Sequence, residues 1–192
     1  PTIETSRDRT LNRNEIRTFW AELGKAKMTT KIQLALKFLL VTMQRRSEVV
    51  AAPWSEFVLE ERAWNIPGSR TKNSKPHRVP LSKLAMTLLE EIKELSGDSG
   101  WLFPSTVGDQ HILPSAVTQA LKGSMPTLNI DAFTPHDLRR TGNSQLAAIG
   151  IPKHIRERLL NHADRSTEGE VYNQYEYWPE KVSALDAWSS LL

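Results

Sequence analysis

Apolar residues recur at helical spacing along much of the chain, and this pattern predicts a series of helices. The first begins at Asn12, a candidate cap with Glu15 three residues later, and its apolar face continues to Leu23. Thr30 is a candidate cap for the second helix. Positions 32–41 of that helix are apolar nearly all round, so we expect it to be buried at the centre of the fold.

Strand-forming residues interrupt this helical pattern between the second and third helices. They occur in three short runs separated by turn-rich segments, namely 57–59, 63–66 and 77–81. The runs predict a small antiparallel sheet whose second and third strands are joined by a basic hairpin.

Helical periodicity then returns and predicts five more helices, over 82–95, 113–122, 135–150, 152–162 and 179–192. The predicted fold class is mainly α with a small antiparallel β-sheet, an α+β fold. Residues 1–9 are polar and are interpreted as an arm or linker remnant, and 10–192 as one domain.

Composition refines this prediction mainly by exclusion. The 192 residues include no cysteine, which excludes a disulfide framework, a Cys-ligated zinc site and a thiol nucleophile. The longest apolar stretch, 35–41, is broken by Lys37 and is too short to span a bilayer, and no secretory signal precedes it. We therefore expect a cytoplasmic protein. Because the sequence starts at Pro1 rather than Met, we also expect a piece of a longer chain.

The charge is distributed in local clusters rather than as a large excess. The formal net charge is only +3, so nucleic-acid binding does not follow from the total. Basic residues crowd the predicted hairpin and the helix after residue 135, as either solvated faces or DNA-binding surfaces. The residues that we predict to contact DNA are Arg70, Lys75, Arg78 and Arg140.

Two adjacent arginines, Arg45 and Arg46, follow directly on the most apolar predicted helix. Burying a guanidinium without an anion is costly, so we expect a partner, and Glu48 stands three residues after Arg45. The spacing fits a buried Arg–Glu pair that stabilises the fold, and it fits equally an arginine that binds a phosphate.

Histidines and a tyrosine accompany the second basic cluster. His136 and Arg139 stand near the N-terminus of a predicted helix, which is an end that favours anions. His162 ends a later helix, and Tyr172 follows ten residues later in a polar loop. Taken singly these residues are weak evidence, because surface histidines, helix-end cations and packed tyrosines are common.

The order of these residues along the chain resembles the phage-integrase family, the tyrosine site-specific recombinases. An arginine with a following glutamate, a hairpin lysine, a His-x-x-Arg pair, a histidine and a tyrosine occur in that order over 10–192. Segments 70–81, 133–141 and 159–162 are similar to those of integrases of temperate phages and genomic islands. The catalytic residues implied by the resemblance are Arg45, Lys72, His136, Arg139, His162 and Tyr172, with Glu48 as a supporting acid.

Two positions depart from the family pattern without removing a reacting group. Met43 stands where glycine is usual, and Asn161 stands where glycine is frequent before the histidine. Tyr175 and Tyr177 are rival nucleophiles, but the family's usual histidine-to-tyrosine interval favours Tyr172.

The resemblance implies the tyrosine recombinase catalytic fold and cleavage of DNA through a 3′-phosphotyrosine. Arg45 and Arg139 would stabilise the nonbridging oxygens at five-coordinate phosphorus. His136 is the candidate base for the tyrosine, whose ordinary pKa is about 10. Lys72 would protonate the leaving 5′ oxygen. This scheme needs no metal or other cofactor, and the sequence contains no His-Glu-x-x-His motif.

The implied partner is double-stranded DNA, with self-association into a tetrameric synapse, for integration or excision of a mobile element such as a prophage. We expect the family's usual N-terminal core-binding domain to be absent from this chain. The alternatives are an inactive DNA-binding relative, a type IB topoisomerase-like enzyme and a purely structural helical domain. The C-terminal helix would pack either on its own chain or on a neighbouring subunit.

Overall fold

The computed structural model describes residues 9–162 and 175–192. The helices of this part of the chain are α1 (Arg13–Glu22), α2 (Thr30–Thr42), α3 (Arg46–Val50), α4 (Lys83–Ser96), α5 (Pro114–Leu128), α6 (Pro135–Ala148), α7 (Lys153–Leu159) and α8 (Trp178–Ser189). The strands are β1 (Phe57–Val58), β2 (Ala63–Ile66) and β3 (His77–Pro80). The mainly helical α+β prediction is confirmed. None of the described helices is long and apolar enough to cross a membrane.

Helix α2 lies at the centre of the molecule because it is apolar on nearly every side. Its residues from Leu34 to Thr42 are buried with the exception of Lys37, and it packs against α4, α5, α6 and α8. The Thr29 hydroxyl accepts the Ile32 N–H and caps the helix, one residue before the predicted cap. The central position of α2 places the turn that follows it, residues 43–45, inside the protein.

The predicted sheet is confirmed as an antiparallel sheet in the order β1-β2-β3. Trp64 pairs with Val79 and Ile66 with His77, and the Phe57 and Trp64 rings stack with centroids 5.3 Å apart. These contacts join the sheet to α2 through Phe38, whose ring lies 6.0 Å from that of Trp64. The β2–β3 loop, residues 67–76, therefore extends from a well-anchored pair of strands.

Two helices near the site differ from their predicted lengths. Helix α5 continues to Leu128, beyond the predicted end, whereas α7 stops at Leu159, short of the predicted residue 162. After α7 the chain turns through Leu160 and Asn161, and Asn161 has a left-handed φ of 46°. This early stop exposes the last carbonyls of α7 to side chains from other elements.

The C-terminal helix α8 packs against the core and the sheet of its own chain. The Trp188 side chain is fully buried, and its indole N–H donates to the Leu40 carbonyl at 2.9 Å. Lys181 is also buried and donates to the Arg78 carbonyl at 2.8 Å. These contacts tie α8 to both α2 and the sheet.

Candidate active site

The candidate site lies where three segments of the chain meet. These are the turn after α2, the N-terminal turn of α6 and the turn after α7, which carry Arg45, His136 with Arg139, and His162 respectively. The start of α6 is well defined, because Pro135 occupies the first helical position and Asp137 bonds the N–H of the capping residue Thr134 at 2.8 Å. The cap therefore sets the position of His136 and Arg139.

Arg139 is the most deeply buried cation of the site, with 4% of its surface exposed. Its Nη1 donates to the Met43 carbonyl at 2.8 Å and its Nη2 to the Leu160 carbonyl. Burial lowers the pKa of Arg139 to about 9, and the nearby positive charge of Arg45 contributes. At neutral pH the guanidinium remains a cation, poorly compensated and therefore well suited to bind an anion.

Arg45 is held by Glu48, whose side chain is 1% exposed. The Arg45 Nη1 donates to Glu48 Oε1 at 2.8 Å, and the Arg45 backbone N–H donates to Oε2 at 3.0 Å. The Arg45 Nη2 also lies 3.4 Å from the Asn161 carbonyl oxygen. The predicted Arg–Glu pair is thus present, and it holds the Arg45 guanidinium beside the turn that carries His162.

The backbone conformation at Met43 explains why glycine is usual at this position. It has a φ of 56°, in the left-handed region, and ends α2. Its side chain is fully buried and lies against Gly142 of α6, where an added Cβ would come within 2.5 Å of the Met43 Cγ. The methionine is therefore accommodated because residue 142 has no side chain, and the turn still delivers Arg45 and the carbonyl that binds Arg139.

Both histidines of the site have lowered pKa values. For His136 the largest cause is partial burial, followed by the charges of Arg140, Arg139 and Arg45. For His162 it is again partial burial, followed by Arg139 and Arg45. Both imidazoles are consequently neutral at pH 7, and a neutral imidazole can accept a proton or donate a hydrogen bond. The effect of the same two arginines on each ring reflects how closely these groups converge.

The C-terminal end of α7 is bound by donors that the sequence analysis missed. The Leu159 carbonyl accepts from Gln44 Nε2 at 3.0 Å and from His77 Nε2 at 3.1 Å. His77 is buried and its pKa is lowered to about 3, mainly by that burial, so it donates as a neutral ring. The Asn161 carbonyl accepts from Asn73 at 3.2 Å. No local pattern indicates these contacts, because the partners are far apart in sequence.

The predicted basic residues of the hairpin do not share one role. Lys72 and Lys75 are exposed in the β2–β3 loop. Arg70 instead stabilises the fold, because its Nε and Nη2 donate to Glu56, at 2.6 and 2.8 Å, and its Nη1 and Nη2 donate to backbone carbonyls. Arg70 therefore neutralises a buried carboxylate, which differs from the predicted DNA contact.

The other predicted DNA contacts have partners within the chain and reach the surface. The Arg78 guanidinium lies over the Trp178 ring at 4.1 Å and pairs with Glu61. Arg140 pairs with Asp137 at 3.3 Å, beside His136. Both side chains remain about one-third exposed. Each guanidinium can therefore contact a phosphate, and the buried Asp137 carboxylate would keep its bonds from the Thr134 N–H and hydroxyl.

The predicted nucleophile Tyr172 lies outside the described residues, as does the part of the polar loop that precedes it. Of its rivals, Tyr175 is 53% exposed, and Tyr177 packs its ring against His154 and under the Arg158 guanidinium, at 5.5 and 4.5 Å. Among residues 9–162 and 175–192, no three metal-ligating side chains come together to hold an ion.

Comparison with known proteins identifies the family of this chain. The model of the phage integrase family matches residues 9–177. The chain belongs to the phage integrase family. It is 29% identical to the prophage integrase IntA of Escherichia coli K12 over 154 residues, which are 80% of this chain and 37% of that protein. It is 28% identical to the integrase of enterobacteria phage P4 over 191 residues, 91% of this chain and 43% of the relative.

Solved structures support the tyrosine recombinase catalytic fold. The integrase of mycobacterium phage Brujita superposes with a TM-score of 0.72 at 16% identity, over 97% of this chain and 60% of that one. A lambda integrase (75–356) dimer bound to a core site gives 0.68 at 18% identity, over 90% and 64%. The chain spans about two fifths of the length of the two curated integrases.

Proposed function

We propose that this chain is the catalytic domain of a DNA-breaking and rejoining recombinase that acts at specific sites of a mobile element. The observation that carries the proposal is the convergence of Arg45 and Arg139, each fixed by bonds to the protein, beside the neutral His136 and His162. An inactive DNA-binding relative would have no need for two constrained arginines beside two neutral imidazoles.

The proposed reaction is a transesterification in which one phosphate ester bond replaces another and none is hydrolysed. The Tyr172 oxygen attacks the scissile phosphorus while His136 takes the phenolic proton. The bond from phosphorus to the 5′ oxygen breaks, and Lys72 gives that oxygen a proton. The 3′-phosphotyrosine is then attacked by a 5′ hydroxyl of another strand, which releases the tyrosine and reseals the DNA.

The arginines contribute by being held in place before the reaction. The nonbridging oxygens gain negative charge at five-coordinate phosphorus, and positioned donors stabilise that charge without reorganising. Loss of one such donor typically costs about 100- to 1,000-fold in rate. We therefore expect Arg139→Lys to slow cleavage by this factor, because the donors of an ammonium lie on a single atom and cannot span the Met43 and Leu160 carbonyls and a phosphate as the planar guanidinium does.

The proposed substrate is duplex DNA, with self-association on it, in the cytoplasm of a bacterial host. Support comes from the prophage and phage relatives and from lambda integrase, whose structures include a dimer on a core site and a tetramer on a Holliday junction. Lys75, Arg78 and Arg140 are the proposed phosphate contacts. Binding through such contacts should weaken steeply as salt rises.

The test is covalent trapping on a nicked suicide substrate that carries the core site of the chain's own element, at low salt and without added metal. Wild type should form a covalent protein–DNA adduct, and Tyr172→Phe should form none. Tyr175→Phe is the matched control and should form the adduct normally. An adduct with Tyr172→Phe would refute the assignment of the nucleophile, and DNA binding without any adduct would support the inactive relative.

A further inference from the structure

We propose that Asn73 and Asn161 form an amide clasp that positions Lys72 for proton transfer to the leaving oxygen. The clasp joins the β2–β3 loop, which carries Lys72, to the turn after α7, which carries His162. Both asparagines are assigned as positioning residues. This inference rests on the proposed function, because it assumes that Lys72 acts on a DNA leaving group.

Two side-chain amides bond each other reciprocally in the clasp. The Asn73 Nδ2 donates to Asn161 Oδ1 at 3.0 Å, and the Asn161 Nδ2 donates to Asn73 Oδ1 at 3.2 Å. The Asn73 Nδ2 also donates to the Asn161 carbonyl at 3.2 Å. The two residues are 88 positions apart, so these bonds connect separate elements rather than closing a local turn.

Asn161 connects the clasp to the active site, because it lies beside both Arg45 and His162. The residue is 9% exposed, so its amide bonds are largely protected from competing water. Its carbonyl accepts from both Asn73 and Arg45. The next residue is His162, so the clasp fixes the turn between a catalytic arginine and a catalytic histidine.

The backbone conformation shows what the asparagine side chain adds. Asn161 adopts a φ of 46°, a conformation that glycine reaches freely and asparagine tolerates better than most residues. Glycine, the frequent residue here in the family, would allow the same turn but could not reach Asn73. The amide therefore supplies a contact that the turn itself does not require.

The β2–β3 loop is hydrogen-bonded internally around Asn73. The Thr71 hydroxyl donates to the Lys75 carbonyl at 2.8 Å, and the Lys75 N–H donates to Asn73 Oδ1 at 3.2 Å. Gly68 lies so close beneath Ser74 that a Cβ there would come within 2.5 Å of the Ser74 carbonyl oxygen. Because the loop is internally bonded on both sides of Lys72, anchoring Asn73 restrains the Lys72 backbone.

A leaving-group comparison separates proton delivery from general damage to the site. A 5′-bridging sulfur leaves as a thiolate and needs no general acid, whereas the natural 5′ oxygen does. We expect Asn161→Gly and Asn73→Ala each to slow cleavage of the oxygen substrate about 10- to 100-fold. On the sulfur substrate both variants should cleave within about threefold of wild type, because no proton is then required.

Five further variants test this interpretation. Lys72→Ala should show a larger loss on oxygen and the same rescue on sulfur, whereas Arg139→Lys should be slow on both substrates. The double variant Asn73→Ala/Asn161→Gly should be no slower than the worse single variant, since both remove one contact. Asn129→Gly, a left-handed asparagine with φ 50° at the end of α5, and Asn65→Ala at an exposed position of β2 are matched controls with unchanged cleavage.

The clasp is refuted if either asparagine variant cleaves the oxygen substrate at the wild-type rate, or if the loss is equal on both substrates. Multiplicative losses in the double variant would also refute it. These failures differ from failure of the proposed function. If Lys72→Ala is rescued by sulfur and the asparagine variants are not, the recombinase chemistry stands and the clasp falls. If wild type forms no adduct with either substrate, the proposed function falls.

Discussion

The contact between Met43 and Gly142 predicts an energetic coupling between two elements of the site. Met43 is fully buried, and a methyl group at residue 142 would overlap its Sδ and Cγ atoms. Such overpacking typically costs about 1–3 kcal/mol. Alanine in place of a helical glycine gains back about 1 kcal/mol. Gly142→Ala should therefore lower the free energy of unfolding by up to about 2 kcal/mol in the wild-type chain.

The same substitution should have the opposite sign when the methionine is removed. Met43→Gly leaves space beside residue 142, so Gly142→Ala should then raise the free energy of unfolding by about 1 kcal/mol. The difference between the two backgrounds is a coupling energy of about 1–3 kcal/mol, equal to the overpacking cost. Urea unfolding of the four proteins in this cycle measures it.

A glycine without such a contact provides the control. A Cβ at Gly123 of α5 would meet nothing within 4 Å, so Gly123→Ala should stabilise the wild-type chain and the Met43→Gly variant equally. If Gly142→Ala changes stability by the same amount in both backgrounds, the two residues are not coupled and the explanation given for Met43 is wrong. Because the Met43 carbonyl binds Arg139, Gly142→Ala should also slow cleavage.

Three further predictions follow from groups buried around the site. Glu48→Gln removes the charge that pairs with Arg45. Urea unfolding should show a free energy of unfolding lower by about 2 kcal/mol, and the trapping assay should show cleavage slower by at least about tenfold. An unchanged cleavage rate would contradict the role of the pair. The pKa of His77 is about 3 in the folded chain but about 6.5 in the unfolded chain. Between about pH 6.5 and pH 3 only the unfolded chain therefore protonates this histidine. The free energy of unfolding should fall by about 1.4 kcal/mol for each pH unit that the pH drops within this window. His77→Gln should remove this contribution, and equal pH slopes for variant and wild type would refute it. Trp188→Ala should lower the free energy of unfolding by about 3–5 kcal/mol. The unfolding midpoint of wild type and variant should not depend on protein concentration, because α8 packs on its own chain. A midpoint that rises with concentration would indicate packing between subunits.

Local sequence patterns predicted most of the helices and all three strands of this protein, and they supplied its candidate site residues. The cap at Asn12 with Glu15 and the strand at 63–66 are read correctly because caps and alternating strands depend on nearby residues. The order of arginines and histidines likewise lies in the chain itself. The nucleophile Tyr172 rests on that order alone and stays a prediction.

Charge clustering was less informative, as Arg70 illustrates. From sequence it belongs to a basic hairpin, yet in the structure its guanidinium neutralises the buried Glu56. A cluster of like charges does not reveal which members face solvent. That depends on the burial of an acid from another part of the chain, which only the folded arrangement determines.

The tertiary structure alone decided how the site residues are held. Arg139 is held by the carbonyls of Met43 and Leu160. The Met43 side chain fits because residue 142 is a glycine, and the Asn161 side chain is held by Asn73. Each contact joins segments that are remote in sequence and lies at a helix end, where backbone carbonyls lack partners within the helix. Helix periodicity and capping are short-range effects and can be read along the chain. Satisfying those carbonyls is a property of packing, because the donors come from whichever elements the core brings alongside.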